Sequence, residues 1–246
     1  MVDINRFNIE DLRNKFLNAS PFNFIIIDDF LDPLLIKEIE LELRTLPPDD
    51  WHDKTTNFKY INNQGDSEVQ SKKVALNIRE QIPSKTNKVI DLFSSPEIIQ
   101  FIETVTNIGD LQSDPQLLGG GVHKTTTNGH LSIHADFNIH PQLNKHRRVN
   151  ALLYLNSNWK PEHQGELELW NKDMNSCAHK IEPISNRLVI FRITDDALHG
   201  SPNTWMGSLN YPRLSLAFYY YTDDRPENEK SAFHWANWFK RFGKYY

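Results

Sequence analysis

The chain has 246 residues and a net charge of −5, with 27 basic and 32 acidic side chains. This length can bury a sizeable core, and without a basic block nucleic acid is not a favoured partner. The single cysteine, Cys177, excludes an internal disulfide bond and fits a reducing compartment. No signal peptide and no apolar run long enough to cross a bilayer are recognised, so we expect a cytoplasmic protein without a membrane partner.

Residues 1–115 are expected to form a mostly helical support region. Asp32 and Ser95 are each followed by proline, which is typical of a helix N-cap and first turn. The polar stretch 51–71 predicts a long surface loop, and loops of that length are often functional. The predicted elements are helices over 8–17, 32–46 and 95–108 and a short strand over 22–30.

Short β-rich runs separated by turn residues begin after Gly119. Because no helices come between them, they predict an antiparallel jelly roll or cupin-like barrel over residues 116–222. The aromatic segment 223–246 is expected to be a helix or tail packed on that barrel. Together the three regions are predicted to form one domain spanning 1–246. The predicted strands are HLSIHADF, RVNALLYLN, GELELW, AHKIEP, RLVIFRI and RLSLAFYYYT.

The first of these strands carries a His-x-Asp pair, His134 and Asp136. Such a pair arises by chance in a chain with ten histidines, so its context decides whether it is a site. Residues i and i+2 project from the same face of a strand, which brings the imidazole and the carboxylate together. Two imidazoles and one carboxylate on one face are the protein ligands of many non-haem Fe(II) centres.

A third ligand would have to be a histidine from another strand. His199 is the best candidate, because it follows the apolar run RLVIFRI and lies far enough along the chain to come from a different strand. His140 is interpreted as the exit from the first strand and the start of a rim loop, and not as a ligand. His163 and His179 lie in turn-like surroundings and are expected at the surface.

Arg213 and Ser215 form a second i, i+2 pair, on the strand RLSLAFYYYT. A guanidinium beside a hydroxyl inside a barrel would bind a carboxylate. The alternative is a structural arginine that pairs with a carboxylate of the protein.

The strand RVNALLYLN alternates between an apolar face and a polar face. Val149, Ala151, Leu153 and Leu155 are expected to pack on supporting helices. The opposite face, with Arg148, Asn150, Leu152, Tyr154 and Asn156, is expected to line a polar cavity, although Tyr154 could equally be a core tyrosine. The basic spot at 146–148 is expected to be solvated.

The order of these motifs resembles the Fe(II)/2-oxoglutarate-dependent oxygenases, in particular their prolyl-4-hydroxylase-like branch. The resemblance covers about 119–222 and extends to the upstream run FIIIDDFLDPLL. It implies a double-stranded β-helix and a dioxygenase that hydroxylates an unactivated C–H bond and releases succinate and CO2. The implied cofactors are Fe(II), 2-oxoglutarate and O2, with ascorbate as a further candidate.

The same resemblance assigns roles to particular side chains. His134, Asp136 and His199 would hold Fe(II), and Arg213 would bind the distal carboxylate of 2-oxoglutarate. Further residues that would lie near 2-oxoglutarate are Ser215, Tyr154, Asn150, His123 and Lys124.

Two departures from the family pattern concern the mouth of the barrel. Gln164-Gly165 stands where relatives often have Gly-Gly, and the 14 residues from His199 to Arg213 are a longer gap than the branch usually has. Loops at 51–71, 138–147 and 201–211 are expected to set specificity. The substrate, a free or peptidyl amino acid or another polar metabolite, and the oligomeric state are left open. The alternative functions are a non-catalytic metal-binding jelly roll and a cupin-type enzyme with another metal.

Overall fold

A computed structural model describes residues 2–53 and 69–244. Within these ranges, twelve strands form one curled antiparallel sheet, and four α-helices pack against its convex side. The predicted jelly-roll architecture is therefore confirmed. None of the helices in the described ranges has the length and apolar character that a membrane span requires.

The helices all precede the barrel. They are α1 Ile9–Leu17, α2 Pro33–Arg44, α3 Ser84–Phe93 and α4 Pro96–Thr106. The strands are β1 Phe24–Ile27, β2 His52–Asp53, β3 Gln70–Leu76, β4 Gln112–Ser113, β5 Gly121–Ala135, β6 His146–Tyr154, β7 Leu167–Trp170, β8 Cys177–Ile181, β9 Leu188–Arg192, β10 Leu198–Ser201, β11 Arg213–Thr222 and β12 Asn237–Trp238.

Three of the four helices were predicted, α2 and α4 from their capping residues and α1 from its apolar spacing. Asn8, Asp32 and Ser95 each accept a hydrogen bond from a backbone N–H in the first turn of α1, α2 and α4. Helix α3 was not predicted from the sequence, and it begins without a capping side chain of its own. Its first N–H groups instead donate to the Glu42 carboxylate, which α2 supplies from 3.0–3.2 Å away. A cap from another helix leaves no local signal in the sequence.

Strands from both halves of the chain build the sheet. The strand order is β1-β9-β6-β11-β5-β10-β7-β8, and β3 pairs with the free edge of β5. The mostly helical region before residue 116 also supplies strands, because β1 and β3 both join the sheet. The long strand β5 pairs with β11 at its beginning and with β10 at its end.

The apolar face of β6 packs on the helices as predicted. Val149, Ala151, Leu153 and Leu155 are fully buried in the main core cluster. The rings of Phe93 on α3 and Phe218 on β11 stack with their centroids 3.9 Å apart within that cluster. With this face filled, the opposite face of the sheet is left to form a pocket.

The expected loop over 51–71 lies largely outside the described residues. At its two ends, however, His52–Asp53 forms β2, and β3 begins at Gln70, so these ends are strands and not loop. Trp51 is buried, and its ring lies under the Lys124 ammonium at 4.6 Å from the ring centroid.

The prediction of a C-terminal helix is wrong. The described part of the tail runs extended and forms β12, in which Asn237 and Trp238 pair with Ala135 and His134 on β5. Beyond the reach of β3, this edge of β5 would expose unpaired backbone groups, and the tail satisfies them. Its aromatic composition therefore serves packing in an extended segment.

Asn156 was expected to line a polar cavity, but it joins three segments of the fold. Its amide donates to Pro183 and Leu214 carbonyls at 2.7 and 3.1 Å, and its oxygen accepts from the Leu214 N–H at 2.9 Å. We expect Asn156→Ala to lower the free energy of unfolding by about 3 kcal/mol, because it leaves buried partners unsatisfied. Urea denaturation measures this, with exposed Asn158→Ala as the matched control. A loss below about 0.5 kcal/mol, the range of ordinary surface substitutions, would contradict it.

Asn138 anchors the tail. Its side chain bonds to Ser231 Oγ, Ala232 O and the His234 N–H at 2.8–3.0 Å. We expect Asn138→Ala to speed hydrogen exchange in residues 231–241 by about tenfold, since one buried hydrogen-bonding group costs about 1–3 kcal/mol when lost. The control is Asn171→Ala, on an exposed turn. Exchange of the tail unchanged from the wild type would show that the tail is held by other contacts.

Candidate active site

Three side chains from two neighbouring strands form a compact cluster. The cross-strand pairing of His134 on β5 with His199 on β10 brings the two imidazoles to the same place, with ring centroids 4.6 Å apart. Asp136 lies between them, its carboxylate oxygens 3.6 Å from His134 Nε2 and 3.5 Å from His199 Nε2. The ligand atoms all lie within 4.8 Å of one another, so this cluster could hold one metal ion.

Both imidazoles are oriented by backbone carbonyls. Nδ1 of His134 donates to the Ser132 carbonyl and Nδ1 of His199 to the Ala197 carbonyl, each at 2.9 Å. These bonds leave each Nε2 as the lone-pair atom that faces Asp136. Burial, together with the neighbouring His134 ring, lowers the pKa of His199 to about 4, so that ring is neutral at pH 7. Two imidazoles and a carboxylate suit Fe(II).

The carboxylate of Asp136 is held by two further side chains. Arg147 Nη2 lies 3.0 Å from Oδ2, and the Asn150 amide donates to the same oxygen at 2.8 Å. Arg147 Nε in turn donates to Asn150 Oδ1 at 2.9 Å, which closes a ring of contacts. Although burial raises the pKa of Asp136, the charge of Arg147 and the contacts with His134 and His199 outweigh it and hold this pKa well below its usual range.

The expectation of a solvated basic spot at 146–148 is wrong, because Arg147 and Arg148 are both buried. The register of β6 against β11 shifts between Tyr220 and Tyr221, and this bulge turns Arg147 into the pocket. Arg148, expected on the pocket face, reaches Thr222 and Glu229 instead. Strict alternation from the sequence could not have placed these two arginines.

The predicted carboxylate-binding side chains occupy the same pocket. Ser215 pairs across the sheet with Tyr154 on β6, and Arg213 lies two residues before Ser215 on β11. The Arg213 guanidinium lies 5.0 Å from the centre of the Tyr154 ring, and its Nε donates to the Gly165 carbonyl at 2.8 Å. Asn150 lines the pocket too, although its hydrogen bonds go to Asp136 and Arg147.

At Gln164-Gly165 the chain keeps the second glycine of the family pattern and departs from it at the first. A Cβ at Gly165 would lie 2.7 Å from the Trp205 ring and 3.2 Å from Arg213 Cδ, and the φ of Gly165 is +72°. Glycine is therefore required where the backbone approaches Arg213. Gln164, which stands where relatives have a first glycine, has φ 55° and ψ −146°, a conformation that costs a non-glycine residue of order 1–3 kcal/mol.

Of the remaining residues that the sequence singled out, one lines the pocket and the others lie away from it. His123 lines the pocket, whereas Lys124 points to the other side of β5 and covers Trp51. His140 is fully buried, accepts from two backbone N–H groups of its own turn and faces Asp114, so its structural interpretation is confirmed and it does not face the pocket. His163 lies against the rings of Trp205 and Tyr211 and is not part of the cluster.

Several pocket residues were missed by the sequence analysis. Trp238 from the tail packs its ring against His134, with centroids 4.8 Å apart. Lys73 and Gln70 come from β3, and only Gln70 lies in the polar stretch 51–71 that was predicted to be a loop. The other missed lining residues are Gly119, Thr125, Leu131, Phe137, Arg147, Leu167, Gly200, Ser201, Tyr219 and Ala236.

The polar groups of the pocket fit both an iron ion and a dicarboxylate. In the described ranges Arg213 has no carboxylate within ion-pair distance, and the buried Tyr154 hydroxyl makes no well-formed hydrogen bond. A buried guanidinium and hydroxyl without such partners are suited to an anionic ligand. The alternative that Arg213 pairs with a protein carboxylate is therefore not supported within these ranges.

Comparisons with known proteins concern the barrel that carries this site. The model of the 2OG-Fe(II) oxygenase superfamily matches residues 120–221. A prolyl-4-hydroxylase from Pseudomonas putida superposes with a TM-score of 0.56 at 17% identity, over 86% of this chain and 98% of that chain. A prolyl hydroxylase from Trichoplax adhaerens, in complex with a hypoxia inducible factor peptide, gives 0.57 at 19% identity, over 87% and 91%.

A third similar structure is HygX from Streptomyces hygroscopicus, with nickel, 2-oxoglutarate and hygromycin B bound. Its TM-score is 0.56 at 14% identity, over 89% of this chain and 92% of that chain. At such identities the likeness shows the fold, a double-stranded β-helix. Over residues 120–221 the chain is similar to the 2OG-Fe(II) oxygenases, and two of these structural neighbours are prolyl hydroxylases. These findings support a 2-oxoglutarate-dependent dioxygenase that uses Fe(II), 2-oxoglutarate and O2.

Proposed function

We propose that this dioxygenase hydroxylates an unactivated C–H bond of an amino acid, a peptide or another small polar molecule, with conversion of 2-oxoglutarate to succinate and CO2. The observation that carries the proposal is that the His134, Asp136 and His199 cluster shares one pocket with Arg213 and the Tyr154 hydroxyl. A site built only to hold a metal has no use for a separate binding site for a carboxylate.

In this proposal each polar side chain has a distinct role. His134, Asp136 and His199 hold Fe(II), and Arg213 with Tyr154 binds the distal carboxylate of 2-oxoglutarate, assisted by Ser215. Arg147 and Asn150 keep the Asp136 carboxylate ionised and fix its orientation. When bound, the iron, 2-oxoglutarate and O2 together supply the oxidant that removes a hydrogen from the substrate and returns a hydroxyl group.

Two features favour hydroxylation in a protected site. Asp136 supplies a carboxylate ligand, whereas halogenating relatives leave that position to chloride. Apolar walls from Phe137, Leu152, Leu167 and Trp238 limit the access of water.

The structural neighbours leave the substrate open. One of them binds a hypoxia inducible factor peptide and another binds hygromycin B. The same fold therefore accepts very different molecules, and the substrate of this chain must be inferred from its own pocket.

Removing one ligand should abolish the metal site. We expect Asp136→Ala to weaken Fe(II) binding by more than about 100-fold. Loss of a residue that only hydrogen-bonds to a metal ligand already lowers metal affinity about 10- to 100-fold, and Asp136 is itself a proposed ligand. Anaerobic calorimetric titration measures the affinity, and Asp173→Ala, on an exposed turn, is the control. Iron bound as tightly as in the wild type would show that the metal ligands are assigned wrongly.

Removing the guanidinium should affect the cosubstrate alone. We expect Arg213→Met to raise the dissociation constant of 2-oxoglutarate roughly 100-fold, since a buried charge pair is worth about 2–5 kcal/mol when one partner is truncated. Fe(II) affinity should stay within a factor of about three of the wild type. The control is Arg79→Met, a surface arginine. Equal 2-oxoglutarate affinity in Arg213→Met and the wild type would remove Arg213 from the proposal.

Asn150 separates a metal-positioning role from a cosubstrate-binding role. Because its amide bonds to Asp136, we expect Asn150→Ala to weaken Fe(II) binding by about tenfold or more. The dissociation constant of 2-oxoglutarate, measured on protein saturated with metal, should change much less. The reverse pattern would place Asn150 with the cosubstrate, as the resemblance to the family implied.

A further inference from the structure

A bulge in β3 turns two polar side chains into the pocket. Lys72 has a φ of 47°, and the register of β3 against β5 shifts between Ser71 and Lys73. In a regular strand, residues 70 and 73 would lie on opposite faces. Because the β3–β5 pairing is irregular at this point, Gln70 and Lys73 both line the pocket.

Lys73 lies in line with the carboxylate-binding arginine. Thr125 on β5 pairs with Lys73 on one side and with Arg213 on the other. Neighbouring strands are about 4.8 Å apart, so the backbones of Lys73 and Arg213 are roughly 10 Å apart across three strands. The two cations thus come from the two strands that pair with β5 on either side of Thr125.

Neither β3 side chain has a partner that explains its place. Within residues 2–53 and 69–244, no carboxylate lies within ion-pair distance of Lys73. Gln70 is 4% exposed, and its amide nitrogen makes no hydrogen bond in the described ranges. Burial, followed by the charge of Arg213, lowers the pKa of Lys73 to about 8, so the side chain is still mostly a cation at pH 7.

The charges on the walls of the pocket do not balance. The charged lining residues are three cations, Lys73, Arg147 and Arg213, and one carboxylate, Asp136. Fe(II) and doubly ionised 2-oxoglutarate bring opposite charges of equal size, so the excess of two positive charges persists when both are bound. A partly desolvated site of this kind favours a further anion.

We propose that the substrate carries a carboxylate and that Lys73, with the Gln70 amide, binds it. This inference rests on the proposed function, because it assumes that Arg213 and Tyr154 are already occupied by 2-oxoglutarate. Gln70 pairs with Leu131, the residue that also pairs with Ser201 on β10, so the two donors on β3 extend from the row of Arg213 towards the strands of the metal cluster. A carboxylate held there would place the rest of the substrate beside the metal.

The test uses protein loaded with Mn(II), which replaces Fe(II) without turnover, and with saturating 2-oxoglutarate. Calorimetric titration compares N-acetylglycine, an anion, with N-acetylglycinamide, its neutral counterpart. The wild type should bind the acid at one saturable site and the amide at least about tenfold more weakly, as expected for one charge-assisted hydrogen bond. Lys73→Met should lose this preference, Lys73→Arg should keep it, and Lys72→Met, the exposed neighbour, should match the wild type.

Three results would overturn the proposal. They are no saturable binding of the acid to the loaded wild type, equal affinity for acid and amide, and a preference that Lys73→Met leaves intact. A higher dissociation constant for 2-oxoglutarate in Lys73→Met, with acid binding unchanged, would assign Lys73 to the cosubstrate. Failure of the wild type to bind Mn(II) and 2-oxoglutarate is seen before any probe is added, and it would reject the proposed function itself.

Discussion

The pairing of β5 with β10 at His134 and His199 is the constraint on which the pocket depends. It sets two imidazoles side by side in a rigid sheet, and the i, i+2 geometry of β5 adds Asp136. Carbonyls of Ser132 in β5 and of Ala197, the residue before β10, fix both rings, so the strands and their immediate flanks orient the side chains as well as position them. Sites on strands are held more precisely than sites on loops, which suits a reaction that depends on orientation.

The charge of Asp136 then organises what surrounds it. A buried carboxylate must be compensated, and Arg147 and Asn150 do this from the neighbouring strand β6. On the other side of the pocket, Arg213 and Lys73 have no protein carboxylate within the described ranges. Charge is thus balanced around Asp136, whereas positive charge is in excess at Arg213 and Lys73. This asymmetry points to ligands that bring negative charge.

The sequence predicted the features that depend on regular geometry. Alternation in β5, β6 and β11 predicted side chains that share the pocket, the capping residues predicted α2 and α4, and apolar spacing predicted α1. It failed where regular geometry is interrupted. Bulges in β6 and β3 turned Arg147 and Lys73 into the pocket, and a bulge depends on the partner strand as much as on its own residues.

Two other misses come from contacts distant in the sequence. The N-terminus of α3 is capped by Glu42 of α2, and the tail is extended because the edge of β5 offers it backbone partners. Aromatic spacing alone could not distinguish that strand from a helix. Trp238, which packs on His134, was missed for the same reason.

The most direct test of the account is a crystal structure of the protein prepared anaerobically with Fe(II) and 2-oxoglutarate. The account predicts one metal ion bound by His134, Asp136 and His199, and a 2-oxoglutarate molecule whose distal carboxylate contacts Arg213 and the Tyr154 hydroxyl. Metal bound at other residues, or 2-oxoglutarate that leaves Arg213 without contact, would contradict it.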